Sequence, residues 1–112
     1  YFDGFKEIGD KYGPFDITLL ENGQYNELWS NIHMMPEQTV QAHIDLKGKL
    51  LMPIHWGTFA LALHSWTDPI ERVTAKAKEL QVAITTPRIG EPVILHRKAP
   101  KTDWWLEHLE QE

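Results

Sequence analysis

Cysteine is absent from this chain, so neither a disulfide framework nor a thiolate zinc site is open to it, and the compartment stays undecided. No apolar run approaches the ~20 residues of a membrane span, and no signal peptide is evident. The 11 Lys and Arg form no cluster and the net charge is −5, so no nucleic-acid partner is expected. The sequence also contains no His-x-His, His-Glu-x-x-His, Cys-x-x-Cys, P-loop or Gly-x-Ser-x-Gly, which removes the self-contained metal, phosphate and serine-nucleophile motifs. Internal repeats and low-complexity linkers are missing too.

What is present is ordinary in bulk. The 112 residues suit one domain, which buries roughly two-thirds of the surface exposed on unfolding. Apolar residues make up 42% and charged ones 24%, the balance of a soluble globular protein, with a cytoplasmic location expected. Five tryptophans need something to pack against. The domain body is expected over 1–98, with 99–112 as a C-terminal tail. Because the chain begins at Tyr1 rather than methionine, a processed product or a piece of something longer is expected.

Along the chain, Phe2, Phe5, Ile8 and Tyr12 give a helical face, closed by Gly13-Pro14. Phe15 to Leu20 reads as a strand from its β-branched and aromatic content. From Glu21 to Met35 no period holds, and long loops inside compact domains are often functional. Pro36 opens a helix to about Leu46, with Val40 and Ile44 toward the core and His43 partly exposed. Lys49 to Ile54 reads as a buried strand. Thr58 to Leu63 is a short helix or irregular buried chain. Asp68-Pro69 starts another helix, the aspartate as N-cap, with Ile70, Val73, Ala77 and Leu80 on one face. Val82–Thr85 and Val93–Leu95 are expected strands around a turn at Arg88–Pro92. The tail holds Trp104-Trp105, folded back on the body, and a charged end from Glu107 to Glu112 expected to fray. This order argues an α/β fold.

Two histidines sit where chemistry is placed in such folds. His55 follows the central strand, at the carboxyl end where α/β folds gather ligand-handling side chains, and neutral imidazole is a good zinc ligand. His33 ends the long loop just before Pro36. The two could converge, with Asp16 or Asp45 as candidate carboxylates, although a catalytic zinc normally takes three protein ligands and no spacing here demands that set. A lone histidine beside a strand is more often a hydrogen-bonded core residue.

Four pieces occur in order: Gly13-Pro14-Phe15-Asp16, Gly23-x-Tyr25, His33-Met34-x-Pro36-Glu37 and Ile54-His55-Trp56-Gly57-Thr58-Phe59. Together they resemble the C-terminal half of metallo-β-lactamase-fold hydrolases, in the branch of the N-acyl-phosphatidylethanolamine-hydrolysing phospholipase D and its bacterial relatives. The resemblance runs from Tyr1 to about Leu95. It implies the C-terminal half of an αββα sandwich, a mixed sheet flanked by helices, with a site for two zinc ions in the intact parent. His55 matches the last metal ligand, and His33 matches a catalytic histidine placed over the substrate. Tyr1 is similar to the tyrosine that ends a Gly-Asp-Ser/Thr-Gly-Tyr segment. The bridging aspartate and the His-x-His-x-Asp-His motif would then precede this chain.

Two departures stand out. Glu21-Asn22-Gly23-Gln24-Tyr25 replaces a more apolar Pro-Ile-Gly-Ala-Tyr pattern, and Met35 stands where Asn or Asp usually caps the next helix. What the resemblance implies is a fragment of a zinc-dependent hydrolase acting on a phosphodiester, ester, amide or lactone-type bond of a small-molecule or lipid-like substrate. A membrane-peripheral parent is expected. Lacking the main metal motif, the fragment is expected to be inactive alone and to hold no zinc tightly. Its partner would be the missing N-terminal half. Without it, a homo-oligomer is expected, with Trp56, Trp66, Trp104 and Trp105 at or near the contact. The alternatives are a non-catalytic α/β interaction or structural module, and one subunit of a split enzyme.

Overall fold

The computed structural model describes residues 1–111, without the side chains of Glu110 and Gln111. In chain order it forms α1 (Gly4–Tyr12), β1 (Thr18–Glu21), a 3-10 turn (Glu27–Trp29), α2 (Pro36–Asp45), β2 (Leu51–Ile54), α3 (Asp68–Glu79) and a C-terminal 3-10 helix (Trp104–Gln111). β1 and β2 pair in parallel, Thr18 opposite Leu51 and Glu21 opposite Ile54. Parallel neighbours need a long crossover, and α2 lies within it. No helix among the described residues is long and apolar enough to cross a membrane.

The core is Val40 from α2, Leu51 from β2, Ile70, Val73 and Ala77 from α3, Ile84 and Trp105. Each large aliphatic side chain removed from water here contributes about 1.5–3 kcal/mol. Leu51 is the hub. Besides its partner in β1, its N–H donates to Ala83 O and its carbonyl accepts from Thr85 N–H, at 2.9 and 2.8 Å.

Several expected faces are turned differently. On α2, Val40 is buried as expected but Ile44 is exposed, and His43 is buried in its place. The inward stripe is Pro36, Thr39, Val40 and His43, and its polar members are satisfied by β1. Thr39 Oγ1 donates to Glu21 O at 2.7 Å, and His43 Nδ1 bonds Thr18 Oγ1 at 2.7 Å. Apolarity alone therefore could not locate this face. Met35 occupies the N-cap, and Gln38 supplies one compensating bond, its Oε1 accepting Met35 N–H at 2.9 Å.

On α1, the face carrying Phe2, Ile8 and Tyr12 is exposed rather than buried. The helix meets α2 through Gly9, where an added Cβ would lie 2.0 Å from Asp45 O. Contact so close excludes a side chain, and the bulky residues point away. In α3, Ile70, Val73 and Ala77 are fully buried while Leu80, past the last turn, is exposed. Thr67, not Asp68, is the N-cap; Asp68 is the first helical residue, where its charge still complements the helix dipole.

The expected strand at Val82–Thr85 reduces to the Leu51–Ile84 bridge. Val93–Leu95 forms none: Ile94 and Leu95 are exposed, and the chain pairs instead between Thr86 and Lys101. Residues 58–63 are irregular as one alternative had it, but Phe59, Leu61 and Leu63 are exposed, not buried. The end expected to fray is 3-10 helical through Gln111, and Glu112 lies outside the described residues.

Candidate metal centre

The site forms where the two strands end side by side. Glu21, the last residue of β1, is registered against Ile54, the last of β2, and His55 follows directly. Asn22 N–H continues the ladder by donating to Ile54 O at 2.8 Å. Beside it, a Cβ on Gly23 would lie 2.2 Å from His55 O, so the glycine is what lets the turn after β1 touch the His55 backbone. His55 itself takes φ 67°, in the left-handed region, and Gly57 follows at φ 76°. A histidine held there is a strained residue fixed by its surroundings, a condition that clusters at functional sites.

The long loop returns to the same point. Asn26 Oδ1 accepts from Leu28 N–H at 3.0 Å and caps the 3-10 turn. Trp29 Nε1 donates to Gln24 O at 2.7 Å. Met34 N–H donates to Glu21 Oε1 at 2.8 Å, docking the loop's end on the end of β1. That contact delivers His33, whose Nδ1 lies 2.5 Å from Glu21 Oε2. The His33 ring stacks on His55, centroids 5.2 Å apart and planes 21° from parallel. One ligand atom from each of Glu21, His33 and His55 falls within 4.8 Å of the others.

The structure thus unites the two histidines singled out from sequence and supplies a carboxylate that was missed. Neither Asp16 nor Asp45 is there. Asp16 faces Lys49 at 3.6 Å, and Asp45 accepts from the Tyr1 hydroxyl and from Gln41 Nε2. Glu21 carried one signal, its place at a strand end, but its neighbour across the sheet is set by a parallel pairing that no local pattern encodes. The other histidines serve elsewhere. His64 Nε2 accepts Gln24 N–H at 3.0 Å and its ring stacks on Tyr25 at 4.3 Å. His43 lies inside, and burial lowers its pKa to about 4, so it is a neutral structural group.

A cavity of about 130 Å³ adjoins His55, lined by Gln24, Trp56, Thr58, Phe59 and Leu61. Gln24 braces it: Nε2 donates to Phe59 O at 2.6 Å and Oε1 accepts Leu61 N–H at 3.0 Å. Trp56 stacks on Trp104 at 5.2 Å and ties this rim to the core. A larger cavity of about 670 Å³, between α3 and the segment around Trp105, contains none of the clustered donors. Behind the loop, Arg72 grips Glu37 through Nε and Nη2 at 2.9 and 2.7 Å and holds its carboxyl below the usual range. Burial, with the Asp68 carboxylate next, pushes the Tyr25 phenol up; Tyr25 is a hydrogen-bond donor to Asp68 rather than an acid.

Two imidazoles and a carboxylate are donor types that zinc accepts. The residues present therefore fit a metal. The family described as the beta-lactamase superfamily domain matches residues 1–56. The chain belongs to the β-lactamase superfamily. It is 43% identical over 108 residues to an uncharacterized protein of Mycobacterium tuberculosis, covering 94% of this chain and 29% of that protein. It is 36% identical over 59 residues to the N-acyl-phosphatidylethanolamine-hydrolyzing phospholipase D 1 of Caenorhabditis elegans, covering 51% of this chain and 17% of that one. Its backbone matches Igni18, described as a novel metallo hydrolase of Ignicoccus hospitalis, with TM-score 0.63 at 24% identity, over 88% of this chain and 38% of the other. The superfamily chain therefore has the metallo-β-lactamase-type α/β fold that its motifs imply, and spans 29% of the length of its mycobacterial relative.

Proposed function

We propose that this superfamily chain is the C-terminal part of a zinc-dependent hydrolase, with His55 as a metal ligand and His33 as the catalytic histidine beside the substrate. The observation that carries the reading is the convergence of the two rings, 5.2 Å apart, from a loop and a strand end that the sequence keeps separate. Zinc, when bound, supplies Lewis acidity toward the scissile group and an acidified water at neutral pH. This chain's share is orientation. His55 follows the end of β2, its main chain lies against Gly23, and its exposed ring is stacked on His33. His33 is half-buried against it, where a leaving group or phosphate can be bound or polarised.

The bond cleaved is a phosphodiester, ester, amide or lactone. Phe59 and Leu61 stand exposed on the cavity next to His55, which supports a lipid-like substrate with an apolar portion and a membrane-peripheral setting. The partner is the N-terminal half of the same domain, which brings the remaining ligands. Alone, the chain holds zinc weakly and is inactive.

Zinc content, melting temperature and turnover of His55→Ala and His33→Ala in the two-part protein test this reading. His55→Ala lowers metal content and hydrolysis together. His33→Ala keeps the metal and loses ~10²–10⁴-fold in turnover. Full metal and full activity in His55→Ala would end the assignment.

A further inference from the structure

Glu21 is held more completely than any other carboxylate near the site. Its main-chain carbonyl accepts from Thr39 Oγ1 at 2.7 Å, one carboxylate oxygen accepts Met34 N–H at 2.8 Å, and the other faces His33 Nδ1 at 2.5 Å. The side chains of Glu21 and His33 are 28% and 25% exposed, so the pair is shielded enough for its geometry to persist. Oε1 already has the Met34 amide as its donor, which leaves His33 as the natural donor to Oε2. A carboxylate without a proton only accepts. The His33 nitrogen facing it must therefore carry the hydrogen.

We propose that Glu21 is a positioning residue that fixes His33 as the Nδ1–H tautomer. In that form the lone pair of the ring lies on Nε2, the one atom of His33 able to accept a proton or a hydrogen bond. A histidine's second nitrogen sets what its first can do, and a neighbouring carboxylate is a common means of setting it. The inference rests on the proposed function only for what Nε2 then acts upon; the tautomer itself stands or falls on its own. Each carboxylate oxygen with one donor retains a second lone pair, so the competing role of metal ligand is decided by zinc affinity rather than by these bonds.

The test is long-range ¹H–¹⁵N correlation of the histidine rings in the ¹⁵N-labelled chain, in metal-free buffer above pH 7.5. In the wild type, His33 Nδ1 is expected to show the protonated-nitrogen resonance and Nε2 the unprotonated one. Glu21→Gln offers one oxygen to two donors. The Met34 amide can only donate and keeps that oxygen, so the side-chain NH2 faces His33 Nδ1 and the ring is expected to switch to the Nε2–H form. Glu21→Ala instead releases the ring to the mixture of a free imidazole. A wild-type His33 protonated on Nε2 overturns the proposal without need of any variant. So does Glu21→Ala with the wild-type tautomer. Zinc titration of the two-part protein against a competing chelator adds an independent arm: a loss of affinity in Glu21→Ala as large as that in His55→Ala makes Glu21 a ligand and also overturns it. The hydrolase reading is untouched by the tautomer result, since it depends on His55 metal content and turnover.

Discussion

His43 of α2 and Thr18 of β1 share a buried hydrogen bond, Nδ1 to Oγ1 at 2.7 Å, and this bond ties the crossover helix to the sheet that carries the site. Gly48 closes over it: a Cβ there would lie 2.6 Å from both the His43 ring and the Thr18 methyl.

Burial of that ring makes stability depend on pH. Burial lowers the His43 pKa from 6.5 to about 4, so the folded state keeps the ring neutral while the unfolded chain takes up a proton. The contribution of His43 is complete above about pH 6.5 and is lost as pH falls toward 4, by at most about 1.4 kcal/mol per pH unit. Urea midpoints measured from pH 8 to pH 4.5 should fall below pH 6.5, and His43→Phe should flatten that part of the profile. A wild-type profile already flat there contradicts the assignment.

Arg72 should couple α3 to α2 through Glu37. Its guanidinium makes two bonds to that carboxylate and lies over the Tyr25 ring, 5.0 Å from the centroid. Both partners are more than a third exposed, so solvent screening reduces the coupling to about 1 kcal/mol in a double-mutant cycle with alanine at each position. Arg72→Lys should recover little of it, because an ammonium cannot reproduce the fork or the stacking. A coupling energy of zero by denaturant melts rules the bridge out as a stabilising contact.

Much of the frame was legible because it follows local rules. Pro36 and Asp68-Pro69 mark true helix starts, Gly13 closes α1, and the apolar run before His55 holds the strand β2, with Leu51 and Pro53 buried and Ile54 exposed. What escaped depends on partners distant in sequence. His43 looks like a surface residue until Thr18 is beside it, and Glu21 looks like a loop carboxylate until β1 pairs with β2 in register. Trp105 lies in the core cluster, and Trp56, Trp66 and Trp104, partly buried, pack against that cluster. His33 and His55 were singled out by their places at a loop end and a strand end and then matched by resemblance, and their meeting rests on a loop whose closing bond, Met34 to Glu21, has no local signature.

Gly23 is a sharp test of how the site is built. A methyl group there would meet His55 O at 2.2 Å, and the obstacle is backbone, which cannot rotate away. Gly23→Ala should cost about 1–3 kcal/mol and displace His55 from His33, seen as changed ring resonances for both histidines. Gly90→Ala is the control for the method: Gly90 has open space around it but φ 88°, so strain there leaves the site resonances unmoved. An unperturbed His55 in Gly23→Ala refutes the role given to this turn.

The isolated chain should associate, and the loop after His55 should be the adhesive surface. Phe59, Leu61 and Leu63 are 71%, 75% and 88% exposed within a few residues of one another, and Leu28 and Ile32 of the other site loop are exposed too. Apolar side chains gathered on loops are a poor choice for a free surface, while the tryptophans are already occupied. Sedimentation velocity over a range of concentrations should show self-association of the wild type. Phe59→Glu with Leu63→Glu should shift it toward monomer without lowering the melting temperature, since neither side chain is in the core. Replacing Trp105 instead should destabilise the fold by about 3–5 kcal/mol and give aggregation of unfolded chain, not a defined oligomer. A wild type that stays monomeric at the highest concentration reached removes the loop surface as a contact.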